Sequence, residues 1–167
     1  MRALVTVASK HGATGEIGEV VAGVLRDAGI EVATAAPDVA IDPSDYDAIV
    51  LGSAVYAGRW LAPARVFATR HADDLARRPL WLFSSGPIGE PPKPAGESPE
   101  GTTLAEQLSA RDHHTFAGRL DCEQLGFLER TVTKALGAPS GDFRDWEAVR
   151  AWADSIVSAL APVNAIA

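Results

Sequence analysis

The sequence predicts an α/β fold in which a parallel sheet is covered by helices on both faces. Short apolar segments alternate with amphipathic helical patterns along the chain, which is the pattern of repeated β–α units. The segment at residues 47–53 is almost entirely apolar at its centre, as expected for a strand buried on both faces. Right-handed crossovers restrict such a sheet to a few doubly wound forms, in which ligands bind at the carboxyl ends of the strands.

The first three strands and the first helix follow from local patterns. A β-branched apolar run at residues 4–8 predicts the first strand, and apolar residues at helical spacing predict a helix at residues 14–27. Gly29 is well placed to end that helix. Residues 30–35 and 47–53 are then the second and third strands.

The middle of the chain predicts a second helix, a fourth strand and a long loop. The helix is expected at residues 62–77, with Pro63 in its first turn and an inner face that consists of Val66, Phe67 and Leu75. The apolar run at residues 80–83 predicts the strand. Residues 90–101 are rich in Pro, Gly and Glu, so an exposed loop that lacks order in the absence of substrate is expected there.

The last third of the chain predicts three helices and one strand. Thr102 or Thr103 can cap a short helix that ends near Arg111, and a strand is expected at residues 114–118. An additional helix is predicted at residues 121–136, and Asp142 is the expected cap of the last helix. The apolar stripe of that helix consists of Trp146, Val149, Ala153, Ile156, Val157 and Leu160. Residues 161–167 are expected to fray.

Composition limits the function classes that need consideration. The chain has 167 residues with 47% apolar content, so we expect one domain over residues 1–167 with a substantial core. A net charge of −7 argues against a nucleic-acid-binding protein. No run approaches about 18 apolar residues and no signal peptide is evident, so a cytoplasmic protein with at most peripheral membrane contact is expected. The single cysteine, Cys122, and four histidines without suitable carboxylate spacing predict no metal site.

The segment at residues 5–18 links the first strand to the first helix through small, hydroxyl and glycine residues. Such a turn directs several backbone N–H groups and the positive end of a helix dipole toward one point, which favours phosphate. The P-loop pattern is absent, and Gly12, Gly15 and Gly18 do not have the spacing of the dinucleotide fingerprint. These patterns make a nucleotide triphosphate and a dinucleotide the less favoured ligands, and we interpret the loop as the site of a flavin phosphate. An ordinary turn with a helix cap is the alternative that the residues leave open.

Two further loops are expected at the same edge of the sheet. After the third strand, Tyr56 and Trp60 could form an aromatic wall for a planar ring, although each could equally be a packing residue. Small residues around them permit a close approach of backbone to ligand. After the fourth strand, residues 84–87 could offer backbone donors to the polar edge of such a ring, or could be an ordinary strand exit.

These segments resemble the flavodoxin family. Residues 9–14, with the sequence SKHGAT, are similar to the flavodoxin phosphate loop, which is commonly T-x-T-G-x-T. Residues 46–58, 116–121 and 141–147 resemble the subgroup of flavodoxin-domain proteins that includes menaquinone-dependent protoporphyrinogen dehydrogenase. The resemblance covers nearly the whole chain.

The resemblance implies a flavodoxin-like three-layer sandwich that binds FMN, with a five-stranded parallel sheet of order 2-1-3-4-5. It implies that the phosphate is bound by Ser9, Lys10, His11, Gly12, Ala13 and Thr14. It also implies that two segments flank the flavin ring: Ser53, Ala54, Val55, Tyr56, Ala57 and Gly58, and Ser84, Ser85, Gly86, Pro87 and Ile88.

The leading functional hypothesis is an FMN-dependent oxidoreductase that passes electrons from an organic donor, such as a porphyrinogen, to a quinone or similar acceptor. The alternatives are an electron carrier of the flavodoxin type that docks on redox partner proteins and a binding module without flavin. No catalytic residue stands out, although His113 and His114 adjoin the fifth strand and could reach the flavin edge.

The hydroxyl groups of the phosphate loop can be tested directly. The double substitution Ser9→Ala and Thr14→Val should weaken FMN binding by about 1–3 kcal/mol, because hydroxyl bonds to a charged group are lost. Fluorescence titration with FMN measures this change, and an unchanged affinity would argue against the phosphate assignment.

Overall fold

Five parallel strands form the centre of the protein in this computed structural model, which describes residues 1–89, 91 and 93–161. Their order in the sheet is β2-β1-β3-β5-β6, which confirms the predicted winding once the short strand β4 beside β3 is set aside. The strands of this sheet are β1 (Arg2–Ala8), β2 (Glu31–Ala35), β3 (Ala48–Tyr56), β4 (Arg59–Trp60), β5 (Leu80–Ser85) and β6 (Asp112–Phe116).

Helices cover both faces of the sheet. They are α1 (Ala13–Asp27), α2 (Ala62–Arg70), α3 (Ala72–Ala76), α4 (Pro99–Gln107), α5 (Phe127–Ala135) and α6 (Trp146–Leu160), together with a short 3₁₀ turn at Pro43–Asp45. One apolar core lies between the sheet and helices α1 and α6, and a second lies on the opposite face beneath α2 and α3. Successive strand residues alternate between the cores, as Val50 and Leu51 do, so the strands are apolar throughout.

The helix predicted at residues 62–77 is wrong in one respect, because it consists of two helices. His71 ends α2 and precedes α3 with φ −111° and ψ 21°, which departs from helical geometry. The predicted inner face of this helix was also wrong at one residue. Phe67 and Leu75 are buried, whereas Val66 is 52% exposed, since α2 buries Ala64 and Ala68 instead.

Two predicted helix caps are wrong. Helix α4 begins earlier than Thr102, because the Ser98 side chain accepts a hydrogen bond from Gly101 N–H at 3.4 Å. The end of the expected loop at residues 90–101 therefore belongs to a helix, and within it residues 90 and 92 lie outside the described structure. The last helix is capped by Asp145, whose carboxylate accepts from Ala148 N–H at 3.0 Å, rather than by Asp142.

An insertion separates β6 from the last helix, and we call residues 119–142 the insert. Its ends form the antiparallel strands β7 (Arg119–Leu120) and β8 (Gly141–Asp142). Between them, α5 is shorter than the predicted helix at residues 121–136, and its apolar stripe is largely exposed. The fifth parallel strand lies two residues before the predicted position of 114–118.

The last helix agrees with the prediction, since Val149, Ala153, Ile156 and Leu160 are all buried. Most of the tail expected to fray, residues 162–167, lies outside the described structure. Among the described helices, none has both the length and the apolar content needed to cross a bilayer.

The centre of the sheet is packed too tightly to accept one additional methyl group at Gly52. A Cβ atom there would lie 2.2 Å from the ring of Phe83 on the neighbouring strand. Gly52→Ala should therefore lower the free energy of unfolding by about 1–3 kcal/mol, as overpacked cores do. Denaturant unfolding measures this change.

Gly23→Ala provides the matched control, because a Cβ atom at this helical position meets nothing within 4 Å. It should stabilise the protein slightly, by about 0.5–1 kcal/mol, through helix propensity. Equal stability of the two variants would contradict the packing argument.

Candidate functional site

A cavity of about 210 Å³ opens where the carboxyl ends of β1, β3 and β5 meet. Loops after all three strands line it, together with the start of the insert and one residue of α5. The lining residues are Ser9, Lys10, His11, Ala13, Thr14, Ala54, Val55, Tyr56, Ala57, Ser85, Gly86, Ile88, Gly118, Arg119, Leu120 and Thr133. The three loops that the sequence singled out therefore converge on one site.

The β1–α1 loop presents the amino end of α1 to this cavity. Gly12 precedes the helix with φ 82°, a left-handed conformation that glycine adopts without strain. Glu16 N–H donates to Gly12 O at 2.9 Å, so the amides before Glu16 point out of the helix end. Thr14 is only 4% exposed and lines the same space. Free amides, a helix dipole and a hydroxyl group here form an anion-binding arrangement.

The side chains of this loop contact the insert. Lys10 forms an ion pair with Glu129 of α5, and Lys10 Nζ also lies 5.8 Å from the centre of the Tyr56 ring. The bond from Lys10 is the main cause that holds the pKa of Glu129 below its ordinary value. His11 Nε2 is buried 3.4 Å from Glu129 Oε2 and has no hydrogen-bond partner.

A tight hairpin joins β3 to β4 at the opposite side of the cavity. Ala57 and Gly58 form its turn, both with positive φ, as in turns that match the twist of two paired strands. Tyr56 is 42% exposed beside the cavity, and partial burial raises the pKa of its phenol. Trp60 is buried away from the cavity, so the alternative interpretation of this residue, core packing, is correct.

Glycine allows the β5 exit and the insert to approach one another closely. A Cβ atom on Gly86 would lie 3.1 Å from Val55 O, and one on Gly118 would lie 3.3 Å from Gly86 Cα. Gly118 N–H donates to Pro87 O at 2.7 Å. Side chains at these two positions would push apart the backbone that forms the floor of the cavity.

Five residues predicted for the site do not line the cavity: Gly12, Ser53, Gly58, Ser84 and Pro87. The two serines point to the opposite face of the sheet, because side chains alternate along a strand. Ser53 Oγ accepts from Leu61 N–H at 2.9 Å, and Ser84 Oγ accepts from Trp60 Nε1–H at 2.8 Å. Their backbone still belongs to the loops that shape the cavity.

Four lining residues were not predicted for the site: Gly118, Arg119, Leu120 and Thr133. The first three lie in the segment 116–121, whose resemblance to flavodoxin-domain proteins was the available signal. Thr133 belongs to α5, and no pattern in the residues around it indicates that it lies near the β1–α1 loop. The two histidines considered for the flavin edge are turned elsewhere, His113 toward Ser84 and His114 toward Phe116 and Trp152.

A larger apolar pocket of about 320 Å³ adjoins the cavity beneath α5. Its apolar walls are Leu120, Leu125, Leu128 and Val132. It shares lining residues with the cavity, namely His11, Ala13, Tyr56, Arg119, Leu120 and Thr133. A molecule bound in this pocket would therefore lie directly beside whatever occupies the cavity.

Arg144 joins the insert to the β1–α1 loop next to the site. Its buried guanidinium donates to Ala13 O at 3.0 Å, to Glu16 at 2.7 Å and to Asp142 at 2.6 Å. Its hydrogen bonds hold the pKa values of both carboxyl groups below their ordinary values. Arg119 adds a second ion pair to Glu16 at 3.2 Å.

Among the described residues, one cluster could offer metal ligands, and it lies away from the cavity. Asp42, His71 and Asp74 have ligand atoms within 4.8 Å of one another. Arg78 lies 3.4 Å from Asp74 Oδ1, and Asp42 already accepts from Ser44 N–H at 2.8 Å. These carboxylates have protein partners, so the cluster has no part in the site.

Comparison with known families identifies the class of protein. The family described as flavodoxin domain matches residues 4–146, so the chain belongs to that family. The observations at the cavity fit FMN, the cofactor of this domain. The free amides at the start of α1 suit a phosphate, while the glycine-lined floor and Tyr56 suit a planar ring.

Individual relatives agree with this class. Protoporphyrinogen IX dehydrogenase [quinone] from Escherichia coli K12 is 23% identical over 173 residues, covering 93% of this chain and 94% of that protein. A flavodoxin from the domain Archaea superposes with a TM-score of 0.68 at 11% identity, covering 95% of this chain and 98% of the other. Oxidised flavodoxin 1 from Bacillus cereus gives 0.63 at 17% identity, with 96% and 99% covered.

The Arg144 network should contribute to stability in a pH-dependent way. Arg144→Gln should lower the free energy of unfolding by about 1–3 kcal/mol at pH 7, because charge-assisted hydrogen bonds are lost. The carboxyl pKa values are lowered on folding, so this contribution is present above their ordinary values of 4.5 and 3.8. The difference between wild type and variant should shrink as the pH falls below them.

Denaturant unfolding at a series of pH values measures this difference. The exposed Arg70→Gln provides a charge-matched control and should leave stability nearly unchanged. A wild-type advantage over Arg144→Gln that persists undiminished at pH 3 would contradict the assigned ion pairs.

Proposed function

We propose that this chain is an FMN-dependent oxidoreductase that takes electrons from an organic donor and passes them to a quinone or similar acceptor. The observation that carries the proposal is the apolar pocket beside the cavity, which gives a second, apolar molecule a place to bind. In the net reaction the donor loses two electrons and two protons, and the quinone gains the same number to become the quinol.

The cofactor would be held by the residues predicted from the sequence. The amides of residues 9–14, with the hydroxyls of Ser9 and Thr14, would bind the phosphate. Segments 53–58 and 84–88 would flank the ring, while Ser53 and Ser84 hold those segments from behind the sheet. When bound, FMN supplies the exchange of electrons with organic molecules.

The second molecule would bind under the insert. Leu125 is 8% exposed and forms a buried wall of the apolar pocket, while Leu128 and Val132 of α5 cover it from the outside. Tyr56 and His11 line both the cavity and the apolar pocket. At most one side chain would therefore lie between the second molecule and the flavin ring. Arg119 and Asp121 place charges on the same pocket, which suits a molecule with a polar end.

The Escherichia coli relative supports the choice of substrates. Its name states a porphyrinogen substrate and a quinone, and it matches the chain over nearly its full length. We therefore include a porphyrinogen among the donors and a quinone as the acceptor to be tested first.

An electron carrier that docks on redox proteins is the second candidate. The net charge of −7 favours it, because an acidic surface can attract basic partners. Reduction of the bound flavin by a small organic donor, with no partner protein present, distinguishes the two. The oxidoreductase requires that reduction, and an electron carrier does not show it.

The apolar pocket can be tested without knowledge of the donor. Reduced, FMN-loaded protein is mixed with a water-soluble naphthoquinone in the absence of oxygen, and flavin reoxidation is followed by absorbance. Val132 is 57% exposed and would be covered by the bound quinone, so Val132→Asp should slow this step about tenfold, because loss of that apolar contact costs about 1.5 kcal/mol. FMN affinity should not change.

Leu136→Asp is the matched control. Leu136 is 77% exposed on the same insert and does not line the pocket, so the rate of reoxidation should remain at the wild-type value. Equal rates in wild type and both variants would exclude the pocket as the acceptor site.

A further inference from the structure

A buried hydrogen-bond chain lies behind the ring side of the cavity, on the sheet face that α4 covers. Trp60 Nε1 lies 2.8 Å from Ser84 Oγ, and Ser84 Oγ lies 2.9 Å from His113 Nε2. On the other side of the imidazole, Nδ1 lies 3.5 Å from Glu97 Oε2. The chain thus joins β4, β5, β6 and the segment that precedes α4.

The chemistry of the four groups determines which of them donates and which accepts in each hydrogen bond. An indole N–H only donates, so Ser84 Oγ accepts from Trp60 and has a single hydrogen to donate to His113 Nε2. His113 must then be neutral, with its hydrogen on Nδ1, and that hydrogen faces the Glu97 carboxylate. Only this arrangement gives a partner to both the Ser84 hydroxyl hydrogen and His113 Nε2.

Helix α4 seals the chain from solvent. The His113 side chain is 5% exposed, and a Cβ atom on Gly101 would lie 2.2 Å from its Nε2 atom. Two more bonds fasten the start of α4: the Glu100 carboxylate accepts from Trp60 N–H, and Ser98 N–H donates to Thr115 Oγ1 at 2.8 Å. Trp60, Ser84 and His113 are therefore shielded from water, whereas the Glu97 side chain at the end of the network is half exposed.

Two members of this hydrogen-bond chain, Trp60 and Ser84, are next to residues that line the cavity. Trp60 pairs with Val55, which lines the cavity from the β3 side. Ser84 directly precedes Ser85 and Gly86, which line it from the β5 side. Backbone pairing of β3 with β5 holds these two walls side by side up to Ala54 and Ser85. Beyond that pairing, the bond from Trp60 to Ser84 ties the hairpin to β5, and the bond from Ser84 to His113 orients the Ser84 hydroxyl that accepts from Trp60.

We propose that neutral His113 is a positioning residue that holds the two ring-side walls of the cavity together, and that its protonation loosens them and weakens FMN binding. The inference rests on the proposed assignment of this cavity to FMN. A protonated imidazole would donate to Ser84 Oγ from Nε2. The hydroxyl hydrogen of Ser84 would then lose its acceptor in a buried place, which costs free energy.

The groups around His113 have opposing effects on its pKa. Burial is the largest cause that lowers the pKa of His113, and His114 on the same strand lowers it further. Glu97 and Asp112 act in the opposite direction. Glu100 and Arg59, which pair with one another at 3.7 Å beside Trp60, add no net charge. Because the folded pKa lies below the ordinary value of 6.5, the neutral network is intact at pH 6.5 and above, and it is lost only as the pH falls through that lowered pKa.

The test compares FMN affinity at pH 7.5 and pH 5.0 by fluorescence titration. The phosphate of FMN also titrates in this range, but it does so equally for every variant. His113→Gln keeps an acceptor and a donor without titrating, so its affinity at pH 7.5 should stay within about threefold of wild type. Wild type should lose at least about threefold more affinity on acidification than His113→Gln does. His113→Leu should bind about tenfold more weakly at pH 7.5.

Glu97 offers a second test with a variant on the surface. Glu97→Gln removes a negative charge that favours protonation of His113, so the acid loss of affinity should move to lower pH. Glu106→Gln, an exposed carboxylate farther along α4, should leave the profile unchanged. Melting temperatures measured in parallel separate a change in the pH profile from a general loss of stability.

The outcomes distinguish this inference from the proposed function. Identical pH profiles for wild type and His113→Gln, or for wild type and Glu97→Gln, would overturn the role of His113 while leaving the FMN site intact. A wild-type protein that binds no FMN at either pH would overturn both.

Discussion

The proposed binding site depends on the unpaired backbone amides in the loop between β1 and α1. A parallel strand followed at once by a helix must turn within a few residues, and Gly12 makes that turn in a left-handed conformation. The amides before Glu16 are then left without helical acceptors, at the positive end of a helix of 15 residues. An anion with several oxygen atoms, such as a phosphate ester, would satisfy several of them at once.

The remaining parts of the molecule bring other surfaces to that point. Because β1, β3 and β5 are adjacent and parallel, their exits meet at one edge of the sheet, and tight packing at Gly52, Gly86 and Gly118 keeps those exits close. The insert then closes the open side and adds an apolar pocket, held in place by Arg144 and Glu129. In the function we propose, the parallel sheet and its loops would supply the cofactor cavity, and the insert would select the second molecule.

The sequence predicted what depends on local pattern. Winding of the sheet, the position of the β1–α1 loop and the buried stripe of α6 all follow from periodicity and turn residues. Contacts between distant segments could not be predicted in this way. Nothing near Ser84 reveals that its hydroxyl faces Trp60 and His113, and nothing in α5 reveals that Glu129 meets Lys10 and His11. The break at His71 and the caps at Ser98 and Asp145 were missed because several nearby residues suit those positions equally well.

The most direct measurement is the affinity of the purified protein for FMN compared with riboflavin, which has the same ring but no phosphate. If the amides of residues 9–14 donate to the phosphate, two charge-assisted hydrogen bonds at about 1.5 kcal/mol each suffice to make FMN bind about 100-fold more tightly than riboflavin. Equal affinities for FMN and riboflavin would contradict the account at its centre.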